Sequence, residues 1–182
     1  MSKLKYKELV SKRLILRMPN REDYKYQMDY MSNPLNYPFA DYKITKSMDD
    51  IEEYFEKMLS EHISNTLFWM VADKKTNEPV GMISAWNTDW KEMTIEFGYS
   101  IYPKYRGKGY MKEALEAAID YIKEENNFYL FDIWTDIHNK SSIRLAESLG
   151  FDYQGDKIEK AHNSEKDITY ATYRLDLRKE ID

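Results

Sequence analysis

The stretch Met93-Thr94-Ile95-Glu96-Phe97-Gly98-Tyr99-Ser100-Ile101-Tyr102, followed at once by Pro103-Lys104-Tyr105-Arg106-Gly107-Lys108-Gly109-Tyr110-Met111, decides the fold. Met93, Ile95, Phe97, Tyr99 and Ile101 alternate with Thr94, Glu96, Gly98, Ser100 and Tyr102, the period of two that marks a strand. Glu96 therefore shares the less apolar face with Ser100 and Tyr102. Gly98 inside the strand predicts a bulge or a close backbone approach. Pro103 ends the strand and Gly107-Lys108-Gly109 makes a turn. Met111, Leu115, Ala118, Ile119 and Ile122 then repeat with helical spacing.

A strand that runs through glycines into a helix is suited to hold an anion. The first helical N–H groups have no intrahelical partner, and the helix dipole places about half a positive charge there. Glycines let the backbone approach a pyrophosphate closely. Arg106 and Lys108 add positive charge. A Walker A loop needs Ser or Thr where Tyr110 stands, and a dinucleotide fingerprint needs a third glycine where Lys112 stands. A tight strand–helix turn without a ligand is the competing reading.

Working outward, Arg13 to Met18 reads as an opening strand, and Asn20 as the cap of a helix carrying Tyr24, Met28 and Met31. The segment from Leu35 to Thr45 reads as a loop. Ser47, with Asp50 three residues on, caps a helix whose apolar stripe is Ile51, Tyr54, Phe55, Met58 and Leu59. Leu67–Ala72 and Val80–Trp86 form a hairpin, and Asn87–Glu92 a turn. A strand at Tyr129–Asp136, a helix capped by Asn139 or Ser141 and closing at Leu149-Gly150, and strands near Asp152–Glu159 and Ile168–Leu177 complete the chain. This order predicts an α/β (α+β) fold: one domain over residues 1–182, with a single mixed, mostly antiparallel central sheet and helices on both faces.

The chain has 182 residues and 42% hydrophobic residues, enough for one core. No apolar run reaches the ~20 residues of a membrane span, and no secretory leader is visible at Met1–Val10. Cysteine is absent, which excludes disulfides, thiolate metal sites and a cysteine nucleophile. A cytoplasmic setting is expected. The net charge of −5 argues against nucleic acid as partner; it suits cationic acceptors such as amines, or serves only solubility. His62, His138 and His162 lack metal spacing, so no metal is expected, and no Gly-x-Ser-x-Gly elbow supports a serine hydrolase.

The run Phe97 to Met111 resembles the acetyl-CoA motif of the GNAT N-acetyltransferase superfamily. Asn139-Lys140-Ser141-Ser142, followed by Leu149-Gly150-Phe151, resembles that family's second signature. Arg13-Leu14-Ile15-Leu16-Arg17 resembles the first strand of its ribosomal-protein N-terminal acetyltransferase branch, RimJ- and RimL-like. The three landmarks span residues 10 to 177. The resemblance implies the GNAT acyl-CoA N-acyltransferase fold and an enzyme that moves an acetyl group from acetyl-CoA to a primary amine. It implies that Arg106, Gly107, Lys108, Gly109, Tyr110 and Met111 hold the CoA pyrophosphate through backbone N–H groups. The backbone at Tyr99, Ile101 and Tyr102 would pair with pantetheine in a slot between parted parallel strands, here Glu96–Tyr102 and Leu130–Asp136. Asn139 would bond the pantetheine arm, while also serving as a helix cap.

Within that resemblance, Glu96 is the candidate general base, through water, against the reading of a solvated or salt-bridged strand residue. Ser142 is the candidate donor to the departing thiolate, against the reading of a helix serine bonding local backbone. A backbone N–H near Tyr99–Ile101 would polarise the thioester carbonyl. Lys104 replaces the family's usual Gln or Arg, and Ala146 replaces a tyrosine that protonates the thiolate in many relatives. That second departure keeps open a non-catalytic acyl-CoA-binding module. The acceptor is a protein or peptide N-terminus, or a small amine such as a polyamine, amino sugar or antibiotic. Trp69, Trp86 and Trp134 are read as core or pocket wall, and Trp86 with the loop 37–42 as acceptor walls. Monomer and homodimer are both compatible with the sequence.

Overall fold

The computed structural model describes residues 3–40, 44–62, 65–161 and 164–178, with backbone only at residues 61 and 62. The reading of His162 and the segment 41–43 of the loop lie outside these residues. Among the described residues the strands β1 (Leu9–Val10), β2 (Leu14–Arg17), β3 (Leu67–Asp73), β4 (Pro79–Asp89), β5 (Thr94–Ile101), β6 (Leu130–Asp136), β7 (Asp152–Lys160) and β8 (Asp167–Asp176) form one sheet. Their spatial order is β1-β2-β3-β4-β5-β6-β8-β7. The β5–β6 pairing is parallel and the other described pairings are antiparallel. The helices are α1 (Tyr24–Met31), α2 (Met48–His62), α3 (Tyr110–Asn126) and α4 (Lys140–Ser148).

Local chemistry sets the helix starts. Asn20 accepts from the Glu22 amide, and its own amide donates to Asp23 at 2.8 Å, ahead of α1. Ser47 and Asp50 exchange bonds at the start of α2, the Asp50 amide reaching Ser47 Oγ at 3.2 Å and the Ser47 amide Asp50 Oδ2 at 3.0 Å. This is a capping box with Asp in place of the usual Glu or Gln.

Residues paired across neighbouring strands share a face. Arg17, Met70, Met82 and Ser100 form one such row; Trp69, Ile83 and Tyr99 lie one residue along, on the opposite face. On the first face Arg17 grips Asp23, next to α1, at 2.7 Å, and Tyr102 donates to Gln27 of α1 at 2.9 Å. Phe55 of α2 stacks on Tyr24 at 4.5 Å, so α1 and α2 cover this side. On the second face Trp69 meets Tyr121 of α3 and Tyr99 meets Ser142 of α4. Cover on both faces explains why Leu67 through Ala72 are all buried. Each large side chain so removed from water contributes about 2 kcal/mol. At the far edge, β7 is exposed along most of its length and carries Asp152, Asp156, Lys157, Glu159 and Lys160.

Three expectations are revised. A two-residue strand, β1, precedes β2. The strand expected to stop at Trp86 continues to Asp89 across a register shift, with Asn87 at φ 52°. Gly98 carries no bulge, since the register from Phe97 to Ile101 is regular. The glycine instead makes room for a side chain rather than a backbone, because a Cβ there would stand 2.9 Å from Ser84 Oγ. Among the described residues no helix is long and apolar enough to cross a membrane, and no group of three His, Cys, Asp or Glu side chains converges as a metal site.

Candidate active site

The parallel pairing of β5 with β6 runs from Thr94–Leu130 to Phe97–Ile133. Beyond that rung the strands part. Gly98 to Ile101 of one and Trp134 to Asp136 of the other become walls of a cavity of about 590 Å3. β6 stays paired to β8 and β5 to β4 beyond this rung, so the gap opens between two otherwise intact halves of the sheet.

One end of the cavity is the glycine turn. Gly107 and Gly109 have φ of 72° and 73°, the left-handed conformation that glycine adopts without strain. Gly109 caps α3 with no side chain to bond the first helical amides, which leaves them for an anion. Tyr110, Met111 and Lys112 of the first turn line the cavity, as do Arg106 and Arg144. Among the charged residues that line it, three are basic and one, Asp136, is acidic. That local balance opposes the chain's net charge of −5 and fits a polyanion.

Tyr37, Pro38, Phe39 and Ala40 of the α1–α2 loop also line the cavity, as do Trp134 and Tyr170. Their rings stand 6.3 Å apart, and Lys157 Nζ lies 4.8 Å over Trp134, so this aromatic face already receives a cation. Ser100 also lines the cavity; its hydroxyl is buried and has no hydrogen-bond partner among the described residues.

At the fork itself, Tyr99 and Ser142 hydroxyls are 2.7 Å apart, either able to donate. Burial pushes the Tyr99 phenol up to about 12, against the opposing bond from Ser142, so it keeps its proton at neutral pH. Ala146 is fully buried and contributes no hydroxyl here. Asn139 Oδ1 accepts from the Ser142 amide at 3.2 Å, so it does cap α4, and it lines the cavity too.

Of the residues singled out from sequence, Tyr99, Ile101, Arg106, Gly107, Gly109, Tyr110, Met111, Asn139 and Ser142 meet at this cavity. Three do not line it. Tyr102 is buried against α1, and its amide donates to Val80 at 2.9 Å, so that N–H is not free to pair with pantetheine. Lys108 turns away, its ammonium bonded to the Lys104 carbonyl at 2.9 Å. Glu96 sits one rung before the fork, on the face opposite Tyr99, and accepts from Asn87 Nδ2 at 3.1 Å. Burial raises its carboxyl, and Asp132 on the neighbouring strand adds to the rise; Asn87 opposes them. Arg106 also departs from expectation: its guanidinium donates to the carbonyls of Asn36 and Ile101. Trp86 lies outside the cavity and is partly exposed. The contribution of Lys112, Arg144 and Tyr170 to the walls was missed, while Ser100 and Asp136 lie within the strands read as the slot. Lys112, in the first turn of α3 after the Gly109 cap, was the legible signal.

The family model for the acetyltransferase (GNAT) domain matches residues 13–152, more than half of the chain and the whole of the fork. The chain belongs to the GNAT acetyltransferase family. Among relatives, the uncharacterized protein YkkB of Bacillus subtilis (strain 168) is 35% identical over 86 residues, 47% of this chain and 50% of that protein. The chain thus spans about half the length of that relative. Spermidine N(1)-acetyltransferase of Vibrio cholerae is 23% identical over 152 residues, 82% of this chain and 85% of that one. A solved structure of spermidine N-acetyltransferase from Vibrio cholerae, in complex with CoA and spermine, has the same fold: TM-score 0.77, 19% identity, 93% of this chain and 99% of that one. The [ribosomal protein uS5]-alanine N-acetyltransferase of Escherichia coli (strain K12) is 43% identical over 58 residues, 32% of this chain and 30% of that enzyme. The GNAT resemblance, the mixed fold and the link to ribosomal-protein acetyltransferases read from the sequence are borne out.

Proposed function

We propose that the chain is an acetyl-CoA-dependent N-acetyltransferase that passes the acetyl group directly to a primary amine in a ternary complex. The carrying observation is the fork after Phe97–Ile133, which opens into a cavity closed at one end by the Gly107–Gly109 turn. The residues present fit acetyl-CoA. The α3 amides with Arg144 suit its phosphates, the edge of β5 that β6 leaves beyond Phe97 suits an amide-bearing arm, and the Ser100 hydroxyl asks for a polar partner. Acetyl-CoA supplies the acetyl group as a thioester. The chain's own groups then do three things: bind the anionic end, move a proton from the amine, and give a hydrogen bond to the departing sulfur.

Glu96 is the base in this reading. Its raised carboxyl, one rung from the fork, is better matched to an amine than an ordinary carboxylate of pKa about 4.3. Ser142 is the donor to sulfur. With Tyr99 donating to Ser142 Oγ, the serine proton is free to turn into the cavity. Ser142→Ala and Tyr99→Phe are each expected to lower kcat about tenfold. Because the two act as one unit, the double variant should be no slower than the slower single one; additive losses, or full activity of Ser142→Ala at every pH, would remove the pair from the mechanism.

The acceptor enters from the Trp134–Tyr170 side. The aromatic face and Asp136 favour a cationic amine. The names of the relatives point to two such acceptors, spermidine and an N-terminal alanine. A cytoplasmic setting accompanies this reading and is consistent with a chain free of cysteine. The test has two parts. CoA and acetyl-CoA at a hundred times Kd should each add ~2.7 kcal/mol of stability, a rise of roughly 5–10 °C in Tm, with no rise from ATP or NAD. Thiol release should then follow addition of spermidine or of a peptide beginning with alanine. Binding without release against either, and against a wider amine panel, would make the chain an acyl-CoA-binding module; no binding would sink the proposal.

A further inference from the structure

The cofactor turn has little support of its own. Residues 106–109 are exposed, and Gly109 brings no capping side chain. Support arrives from about a hundred residues upstream. Arg13 Nη1 donates to the Lys108 carbonyl at 3.0 Å, and its guanidinium lies 4.4 Å over the Tyr110 ring. Its Nη2 is 3.6 Å from where a Cβ on Gly109 would stand. Arg13 Nε donates to Glu113 Oε2 at 2.6 Å, while the Arg13 amide and the Ser11 hydroxyl both donate to Glu113 Oε1 at 2.7 Å. Lys74 fixes the other side, its amide donating to the Arg13 carbonyl at 2.8 Å.

Glu113 stands in the first turn of α3. A carboxylate there suits the helix dipole, yet it places a negative charge beside amides that are to receive a pyrophosphate. Burial alone would raise this carboxyl, but the Ser11 hydroxyl and the Arg13 amide and guanidinium hold it below the ordinary range, so Glu113 stays ionised at neutral pH. Only a fixed cation removes its repulsion. Arg13 does so without lining the cavity, with Nε and Nη1 donating to Glu113 and Lys108.

We infer that Arg13 is a positioning residue for the cofactor turn: it holds the Lys108–Tyr110 backbone in place and cancels the Glu113 charge that would otherwise repel the anion. The inference rests on the proposed CoA reading of that turn. It gives the first arginine of Arg13-Leu14-Ile15-Leu16-Arg17 a task distinct from the last, which grips Asp23 on the other face.

The test measures CoA binding by calorimetry for the full chain and for Arg13→Ala, Arg13→Lys, Glu113→Gln and Arg13→Ala/Glu113→Gln, with the Tm of each ligand-free protein. Arg13→Ala should weaken CoA about tenfold, with kcat at saturating acetyl-CoA within about twofold of the parent. The double variant should regain most of that affinity although its ligand-free Tm is no higher, and Glu113→Gln alone should bind no more weakly than the parent. Arg13→Lys should fall between, keeping the charge but losing the fork of donors. The gap between Arg13→Ala and the double variant should narrow at high salt. If the parent binds CoA and Arg13→Ala binds equally well, the inference falls while the CoA reading stands. Equal loss in the single and double variants, or weaker binding by Glu113→Gln, would show that Arg13 cancels no repulsive charge and would also overturn the inference. A parent that binds no CoA overturns both. Should Arg13→Ala fail to fold, Glu113→Gln and Arg13→Lys still decide.

Discussion

At the scale of the residue, Glu96 shows how an ordinary side chain acquires a special state. Alternation in β5 was enough to place it on the polar face, and the structure adds Asp132 beside it and Asn87 above it. A general base works when deprotonated, so with its carboxyl raised, activity should fall as the pH drops through a value above the ordinary ~4.3. In Glu96→Gln that acid limb should vanish from kcat/KM, with turnover down about 10²-fold and CoA affinity kept. An unchanged profile would return Glu96 to a structural role. Tyr102 teaches the reverse. The resemblance gave its backbone a place in the site, and alternation reports only which face a residue occupies. It does not say that the Tyr102 amide is consumed by Val80 or that its ring is turned onto α1. Lys108 was likewise legible as a charge near glycines, not as a side chain that folds back onto Lys104.

At the scale of the element, the parts that follow local rules were the ones read well. Caps, glycine turns and stripes of apolar residues are written within a few positions of each other, as in α2. Ser47→Ala should cost about 1 kcal/mol, a fall of about 2–4 °C in Tm for a chain of this size, measured by calorimetry at pH 7. A change below half a degree would mean that Asp50 alone caps the helix. The misread boundaries have non-local causes. β4 continues past Trp86 because β5 is there to pair with Asp89 after a register shift, and β1 exists because β2 offers an edge. Lys112 and Arg144 join one wall only because α3 and α4 converge, which no window along the chain reveals.

At the scale of the whole molecule, the sheet is two antiparallel leaves joined along β5–β6. Four rungs join them, against seven between β6 and β8. The fold class, including helices on both faces, was legible because the order of elements leaves few ways to close such a sheet. The position of the fork entered through resemblance, since nothing in the spacing of Phe97 or Ile133 marks the last rung. That short seam has a consequence in time as well as in space. The β3–β4–β5 meander and the β7–β8 hairpin join neighbours along the chain, whereas β5 reaches β6 only after all of α3 is in place, and such pairings are slow to form. The fork should therefore be among the last parts of the chain to acquire protection in a refolding experiment. Pulse-labelled amides of Ile95 and Phe97, or of Leu130 and Asp132, would settle the order against those of Trp69 and Ile83; simultaneous protection would refute it. On this account a newly made chain acquires its scaffold first and its chemistry afterwards, and a molecule halted late in folding is native-like everywhere except where it acts.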